Sequence, residues 1–489
     1  LSLGDSLARI SRGEVLADEW SRRVYSVDAS HYEVMPEAVV CPSDQQDVEQ
    51  ICRYCHAKKI PITARGAGTG LLGQSLSAGV IIDFRKHMDK ILEIEDDHVG
   101  VQPGVVKAVL DLELRKRGKF LPPDPASSNY CTIGGMIADN SSGIHCLGYG
   151  NTIDFLEEVK VVYGDGSAGF ADKNYYDPRM ARLRDLVSPH TEAIRSGYPR
   201  VSKNSCGYRL DAVVREEEYL PHKVFAASEG TLGLVTEARF RILNMPDRRC
   251  MIVLGFSDVL ASIEAVPSIM KLSPAALEMM DHSVAAQGSN SKDEGCLLLV
   301  EFAGEGREPE LGMETCRHLL STKCTIVEYA SDEQSLVKIW NARKSALNNI
   351  MKLTVGSRKP VGLVEDTVVP QEVLLDHVTE ILSAYRENHL EYVMYGHAGN
   401  GNIHTRPMID LSSQSEIELM QRIATNIFSK VVKWGGTITG EHGDGIARTP
   451  YIEMMYGRDI TQLFASVKKS LDPGLVLNPG KKIPSSTLQ

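Results

Sequence analysis

The chain has 489 residues, of which 43% are hydrophobic and 24% charged, and it carries a formal net charge of −11. That length calls for two or three packed units rather than one core. An acidic balance with no concentrated basic stripe excludes a nucleic-acid binder, and no apolar run reaches the roughly 18 residues of a transmembrane helix. No signal-peptide pattern opens the chain, so the expected location is the cytoplasm, peripheral to a membrane at most. Ten cysteines are scattered singly, which suits reduced thiols.

Residues 1–33 read as polar helix. From Pro36 the texture turns to mixed α and β: "AVVCP" is a short strand, and "SDQQDVEQICRYCHAKKIPI" is a helix behind a Ser43 cap. Its "CRYCH" spells the CxxCH of c-type haem attachment. Val48, Ile51, Cys52 and Cys55 fall at helical spacing, however, so the two cysteines are read as small core residues. "KIPITAR" is a strand leading into a glycine loop, "GVIIDF" and "HVGVQPG" are further strands, and "VKAVLDLELRKRG" is a helix. Residues 119–245 are rich in loops and strands, with "EEVKVVYGDGS" and "VTEARFRIL" the clearest strands. Near Pro246 the strands "MIVLGFSD", "GCLLLVEFAG" and "CTIVEYA" alternate with helices over "VLASIEAVPSIMKL" and "PELGMETCRHLLST", a βαβ-βαβ-like unit. Beyond Pro370 come a helix ("EVLLDHVTEILSAYRENH"), a strand with a glycine-rich turn, a helix over 413–433, a glycine-rich corner and a short terminal helix.

The glycine loop, "RGAGTGLLGQS" (65–75), contains the spelling GxGxxG. A Rossmann loop opens directly into a helix, whereas this one runs through Gly79 into a β-branched strand; nor does the Lys-Ser/Thr of a P-loop follow. What remains is backbone brought close to a ligand, with N–H groups turned inward as an anion nest. "PPDPASSNYCTIGGMIADNSSG" (122–143) and "AASEGTLGLVTEA" (226–238) add two loops of the same kind. Three loops rich in main-chain donors and small hydroxyls suit an extended, phosphate-bearing cofactor between subdomains.

Together these loops resemble the FAD-binding segments of the FAD-linked 2-hydroxy acid dehydrogenases (D-lactate, glycolate and D-2-hydroxyglutarate dehydrogenases) of the vanillyl-alcohol-oxidase superfamily. The resemblance runs from about residue 35 to 485. It implies FAD contacts at Arg65, Gly66, Ala67, Gly68, Thr69, Gly70, Ser75, Pro123, Thr132, Gly135, Ser142, Gly143, Gly230 and Val235. It also implies non-covalent FAD, because Thr69 stands where flavin-tethering relatives carry a His. The implied fold class is α+β. A helical extension (1–34) precedes a two-subdomain PCMH-type FAD-binding fold (35–245). A ferredoxin-like antiparallel-sheet cap with the metal site follows (246–470), and 471–489 return to the FAD domain.

"YVMYGHAGNGNIHTRP" carries a hairpin signal at Asn400-Gly401. Pairing outward from a two-residue turn there sets His397 opposite His404, Cβ atoms about 5 Å apart, where two neutral imidazoles can share a divalent ion. In "GGTITGEHGDGIAR" a strand of Thr and Ile ends at Gly440. Glu441 can then complete a His-His-carboxylate set, which leaves His442 as a base. Both segments resemble the same family's GHxGDGNxH and GEHGxG. The resemblance implies zinc or a similar ion at His397, His404 and Glu441 and proton abstraction by His442, with Asn400 replacing the usual Asp. "WNARKSALNNIMKLTVGSRKPVGLVEDTVVP" (340–370) resembles dehydrogenases fused to or associated with an iron–sulfur module. It implies substrate-contacting cations at Arg343 and Lys359, alongside Arg406, whereas Leu347 replaces a Thr of D-2-hydroxyglutarate enzymes.

The expectation is an enzyme that oxidises a small 2-hydroxy acid, D-lactate or D-2-hydroxyglutarate favoured, by hydride transfer to FAD. No CxxCxxC run is present, so the expected partner is a separate acceptor: an iron–sulfur subunit, an electron-transfer flavoprotein or a quinone/cytochrome system. A homodimer is compatible with this reading. The rivals are a glycolate oxidase subunit, a non-redox FAD transferase of the alkyl-ether-lipid synthase type, and a metal-dependent hydrolase with a nucleotide substrate.

Overall fold

The computed structural model describes residues 2–215, 218–285, 295–350, 352, 354–484 and 487, leaving aside the side chains of 346–349. Three sheets organise them. The first has the order Glu14–Leu16, Ala38–Cys41, Val80–Asp83, Ile62–Arg65, with parallel pairing everywhere except the outer Glu14–Leu16. Its buried Val39, Val40, Ile81 and Ile82 explain the apolar runs of "AVVC" and "VII". The helix Gln45–Lys58 packs on this sheet through Val48, Ile51, Cys52 and Cys55, so both cysteines are core residues, and all ten thiols are free. Its cap is Asp44, which accepts from the Asp47 N–H, and not Ser43 as the sequence suggests.

The second sheet is antiparallel, in the order Ile91–Ile94, His98–Val101, Leu234–Arg241, Leu156–Val162, Ala168–Ala171. The stretch 119–245 is more helical than its loop-rich composition implies, with helices at Ile133–Asp139, Pro178–Val187 and Thr191–Gly197.

The third sheet has eight strands, all antiparallel. Its first part runs strand Arg248–Phe256, helix Val259–Met270, strands Ala276–Asp281 and Cys296–Gly304, helix Glu308–Leu319, strand Thr325–Ala330. Numbered in chain order, these four strands lie 4-1-3-2 across the sheet, which is the ferredoxin-like cap. The βαβ-βαβ-like unit read from the sequence is this βαββαβ order, and the one strand absent from that reading is Ala276–Asp281, whose acidic Glu278 and Asp281 hide a fully buried run.

Two further expectations change. "GGTITG" is not a strand, since Thr437 makes a single bridge with Val368. The terminal helix is long, Ile452–Leu471, and breaks at Gly457.

Later segments return to earlier ones. Leu477 bridges Ile62, Asn478 Oδ1 accepts from Thr63 Oγ1 across 415 residues, and the buried Lys482 ammonium reaches Asp444 (2.8 Å) and the Ser205 carbonyl (2.7 Å). Beside the cap sheet, His145 is clasped between Asp124 (2.7 Å) and Glu301 (3.2 Å), and Glu301 also accepts from the Trp340 indole (2.6 Å). No described helix is long and apolar enough to cross a membrane.

Candidate active site

A cavity of about 870 Å³ opens where strand Ile62–Arg65 gives way to the glycine loop, within the size range of cofactor sites. Arg65 to Gly70, Ser75, Thr132, Gly135, Gly230 and Val235 line it. The close approach is built in at Gly66, where a Cβ would meet Thr132 Oγ1 at 2.2 Å. Thr132 in turn caps the helix Ile133–Asp139 by accepting from the Gly135 N–H. Bare backbone and small hydroxyls therefore form the part of the wall made by the glycine loop and Thr132, a donor set that fits the phosphates of FAD. Pro123, Ser142 and Gly143 are not among the lining residues. The last two are engaged by Glu441 instead.

Glu441, His442 and Arg406 line the same cavity. The histidine hairpin forms with a corrected register. Ala398–Asn400 make a 3₁₀ turn, Gly401 takes the left-handed conformation (φ 67°), and His397 pairs with Asn402 while Tyr395 pairs with His404. The slip is two residues, an even number, so both imidazoles stay on one face, with ring centroids 5.2 Å apart. Asn400 donates to Ser202 Oγ at 2.8 Å.

Asp366 shapes the Glu441 corner. Its carboxylate accepts the N–H groups of Gly440 (2.9 Å), Glu441 (3.0 Å) and His442 (2.9 Å) and the Thr439 hydroxyl (2.8 Å). It lies near the histidines, but it is committed to main-chain donors and serves as a scaffold.

Glu441 uses its two oxygens differently. Oε2 accepts from Ser142 Oγ (2.6 Å), the Gly143 N–H (2.9 Å) and the buried Lys203 ammonium (3.0 Å). Oε1 faces His397 Nε2 at 2.9 Å and His404 Nε2 at 3.4 Å. His397 Nδ1 meets Glu278 Oε1 at 2.5 Å; with the proton there, its Nε2 lone pair points at Glu441. Acceptors converging in this way repel unless a proton or cation lies among them. Ligands about 2.1 Å from an ion stand about 3.0–3.4 Å apart at octahedral to tetrahedral angles, so the two His–Glu441 separations suit a divalent ion. The groups here whose ligand atoms all lie within 4.8 Å of one another are Asp366, His404, Glu441 and His442, a set that departs from the expected one by leaving out His397.

Burial opposes charge on each of these groups, and the partners outweigh it. Lys203 and His397 hold the Glu441 carboxyl well below the usual range, and Glu278 raises His397. Glu365, 2.8 Å from His442 Nδ1, together with Asp366 raises His442 to about 9.

The expected substrate cations separate. Arg406 is buried in the cavity wall, its Nε donating to Tyr395 OH at 3.2 Å. Arg343 is not among the lining residues: its Nη2 donates to Glu278 Oε2 at 3.0 Å and its guanidinium lies over the Tyr395 ring. Lys359 is exposed. Asn341, Lys344 and Ser345 of helix Glu333–Ile350 reach the cavity instead, and the side chain of Leu347 lies outside the described set.

Sequence reasoning missed Glu278, Glu365, Asp366 and Lys203. The three acids had a signal, since each interrupts an apolar stretch ("ALEMMD", "GLVEDTVV"); Lys203 in "VSKNSC" had none.

Residues 36–168 match the family model described as an FAD binding domain, and residues 245–482 match the one described as the C-terminal domain of FAD linked oxidases. The chain is 31% identical over 492 residues to glycolate oxidase subunit GlcD of Bacillus subtilis, covering 98% of this chain and 96% of that one. It is 29% identical to D-2-hydroxyglutarate dehydrogenase of Haemophilus influenzae over 98% of this chain but 51% of the relative, so it spans about half of that protein. D-lactate dehydrogenase of Anaerostipes hadrus is 28% identical, with 91% and 89% covered. Among solved structures, alkyldihydroxyacetonephosphate synthase (TM-score 0.69, 18% identity, 97% and 86% covered) shares the fold. So does p-cresol methylhydroxylase with substrate bound (TM-score 0.69, 15% identity, 96% and 94% covered).

Proposed function

The chain belongs to the family of FAD-linked 2-hydroxy acid dehydrogenases and oxidases, and from that premise we propose that it converts a D-2-hydroxy acid, D-lactate or D-2-hydroxyglutarate before others, to the 2-oxo acid. In this reading His397, His404 and Glu441 hold a divalent ion, zinc or one like it. The observation that carries it is the convergence of two imidazole Nε2 atoms on Glu441 Oε1, in the wall of the cavity that the glycine loop lines.

When bound, FAD supplies the acceptor for a hydride from the alcohol carbon, and the ion supplies Lewis acidity toward the α-oxygen. The residues do the rest. Arg406 takes the substrate carboxylate, matched by its planar fork, whereas Arg343 acts through Glu278 and Lys359 does not line the cavity. His442 accepts the hydroxyl proton at Nε2; beside a cation its neutral form is favoured, as a base requires. Lys203, Ser142 and Gly143 keep Glu441 Oε2 occupied, so that only Oε1 faces the site. Electrons then leave to a separate acceptor, an iron–sulfur subunit, electron-transfer flavoprotein or quinone system. That the Bacillus relative is named as a subunit supports such a partner.

The test is anaerobic mixing of the yellow protein with a panel of D- and L-2-hydroxy acids, with and without chelator. A D-acid is expected to bleach the flavin, chelation to slow bleaching at least tenfold, and His442→Asn to slow it about 10²–10⁴-fold. Bleaching indifferent to chelator, or unimpaired in His442→Asn, overturns the reading.

A further inference from the structure

Glu365 is fully buried and faces two histidines at once. Its Oε1 lies 2.8 Å from His442 Nδ1, and its Oε2 lies 3.4 Å from His404 Nδ1. The two rings stack, centroids 4.9 Å apart and planes 21° apart, so they run side by side from Glu365 at their Nδ1 edges to Glu441 at their Nε2 edges. Glu365 Oε2 and His404 Nδ1 make no hydrogen bond among the described residues, so at 3.4 Å each is open to the other. Arg406 (3.9 Å) and Arg448 (3.5 Å) flank the carboxylate and balance its charge.

We propose that Glu365 is a positioning residue that fixes the Nδ1–H tautomer of both His404 and His442. An ionised carboxylate offers only acceptors, one oxygen to each ring, so both rings must turn a proton toward it. Their Nε2 lone pairs then face the cavity, one as an ion ligand and the other as the base. A single side chain thus ties ion affinity to proton abstraction. The inference rests on the function proposed above and adds a group that touches neither substrate nor cofactor.

Glu365→Gln in the full flavin-loaded chain tests it. The glutamine amide has one acceptor and one donor end, so it can satisfy one ring's Nδ1–H but forces the other ring into the opposite tautomer. Zinc affinity, measured by chelator competition without substrate, is expected to fall about 10–100-fold. At saturating zinc, kcat is expected to fall at least tenfold while KM for the 2-hydroxy acid stays within about twofold, because Arg406 remains. A merely structural role would not produce that split. Should Glu365→Gln yield no yellow protein, Glu365→Asp, which keeps the charge but withdraws it by one methylene, is expected to show the same paired losses. Zinc affinity and kcat both at the parent level in whichever variant folds overturn the proposal. If the parent neither binds zinc nor bleaches with any 2-hydroxy acid, it is the functional reading itself that fails.

Discussion

His145 joins the FAD-binding part to the cap through opposite charges, and replacing it by Gln exposes what that clasp contributes. Burial works against a charged ring, yet Asp124 and Glu301 outweigh it and raise His145 from its ordinary 6.5 to about 10. At about 1.4 kcal/mol per pH unit, the folded state prefers the charged ring by about 5 kcal/mol. Breaking buried ion pairs costs about 3–5 kcal/mol by the same logic. Arg249 Nη1, 3.8 Å from Glu301, and one hydrogen bond from the new amide recover part of this, so about 3 kcal/mol is expected at pH 7. The folded ring keeps its proton up to about 10, whereas an unfolded chain releases it near 6.5. The stabilisation is therefore complete below 6.5 and is lost as pH rises through 10. Urea unfolding followed by tryptophan fluorescence reads this, because Trp340, one of three tryptophans, donates to Glu301. The gap between parent and His145→Gln midpoints is expected to close between pH 7 and 10. A gap that stays constant over that range refutes the charge argument.

Other outcomes follow from the same geometry. Gly66→Ala puts a methyl against Thr132 Oγ1, so the purified protein is expected to lose most of its flavin absorbance while its far-ultraviolet circular dichroism is unchanged. Lys203→Met removes the ammonium that reaches Glu441 Oε2, and zinc affinity by chelator competition is expected to shift at least tenfold, with flavin content retained.

Much of the fold was legible because strands such as Val80–Asp83 and Cys296–Gly304 are apolar runs carrying a single acid each (Asp83, Glu301) and bounded by turns, and helix Gln414–Lys433 starts at its Ser413 cap. Ala276–Asp281 was not, because its carboxylates look like surface chemistry until the partners that neutralise them, His397 and Arg343 for Glu278, are seen in space. The histidine pair survived a wrong hairpin register because a two-residue slip preserves side-chain parity, whereas a one-residue slip would have separated the imidazoles. Ser142 and Gly143 show the opposite limit. A small-residue loop announces close approach, but only coordinates tell whether flavin or Glu441 is what approaches. Glu365 lay beyond reach for a related reason: its two histidines come from segments distant in the chain, and no local pattern links them.

The strand that leads into the glycine loop is held by residues near 478, and the glutamate corner is braced by Lys482. On a ribosome adding about 5–20 residues per second, Thr63 emerges roughly 20–80 s before Asn478 can reach it. The first cofactor loop thus spends that interval without its closing partner, and cofactor loading is expected to follow the emergence of residues near 478 rather than accompany synthesis of the segments before them.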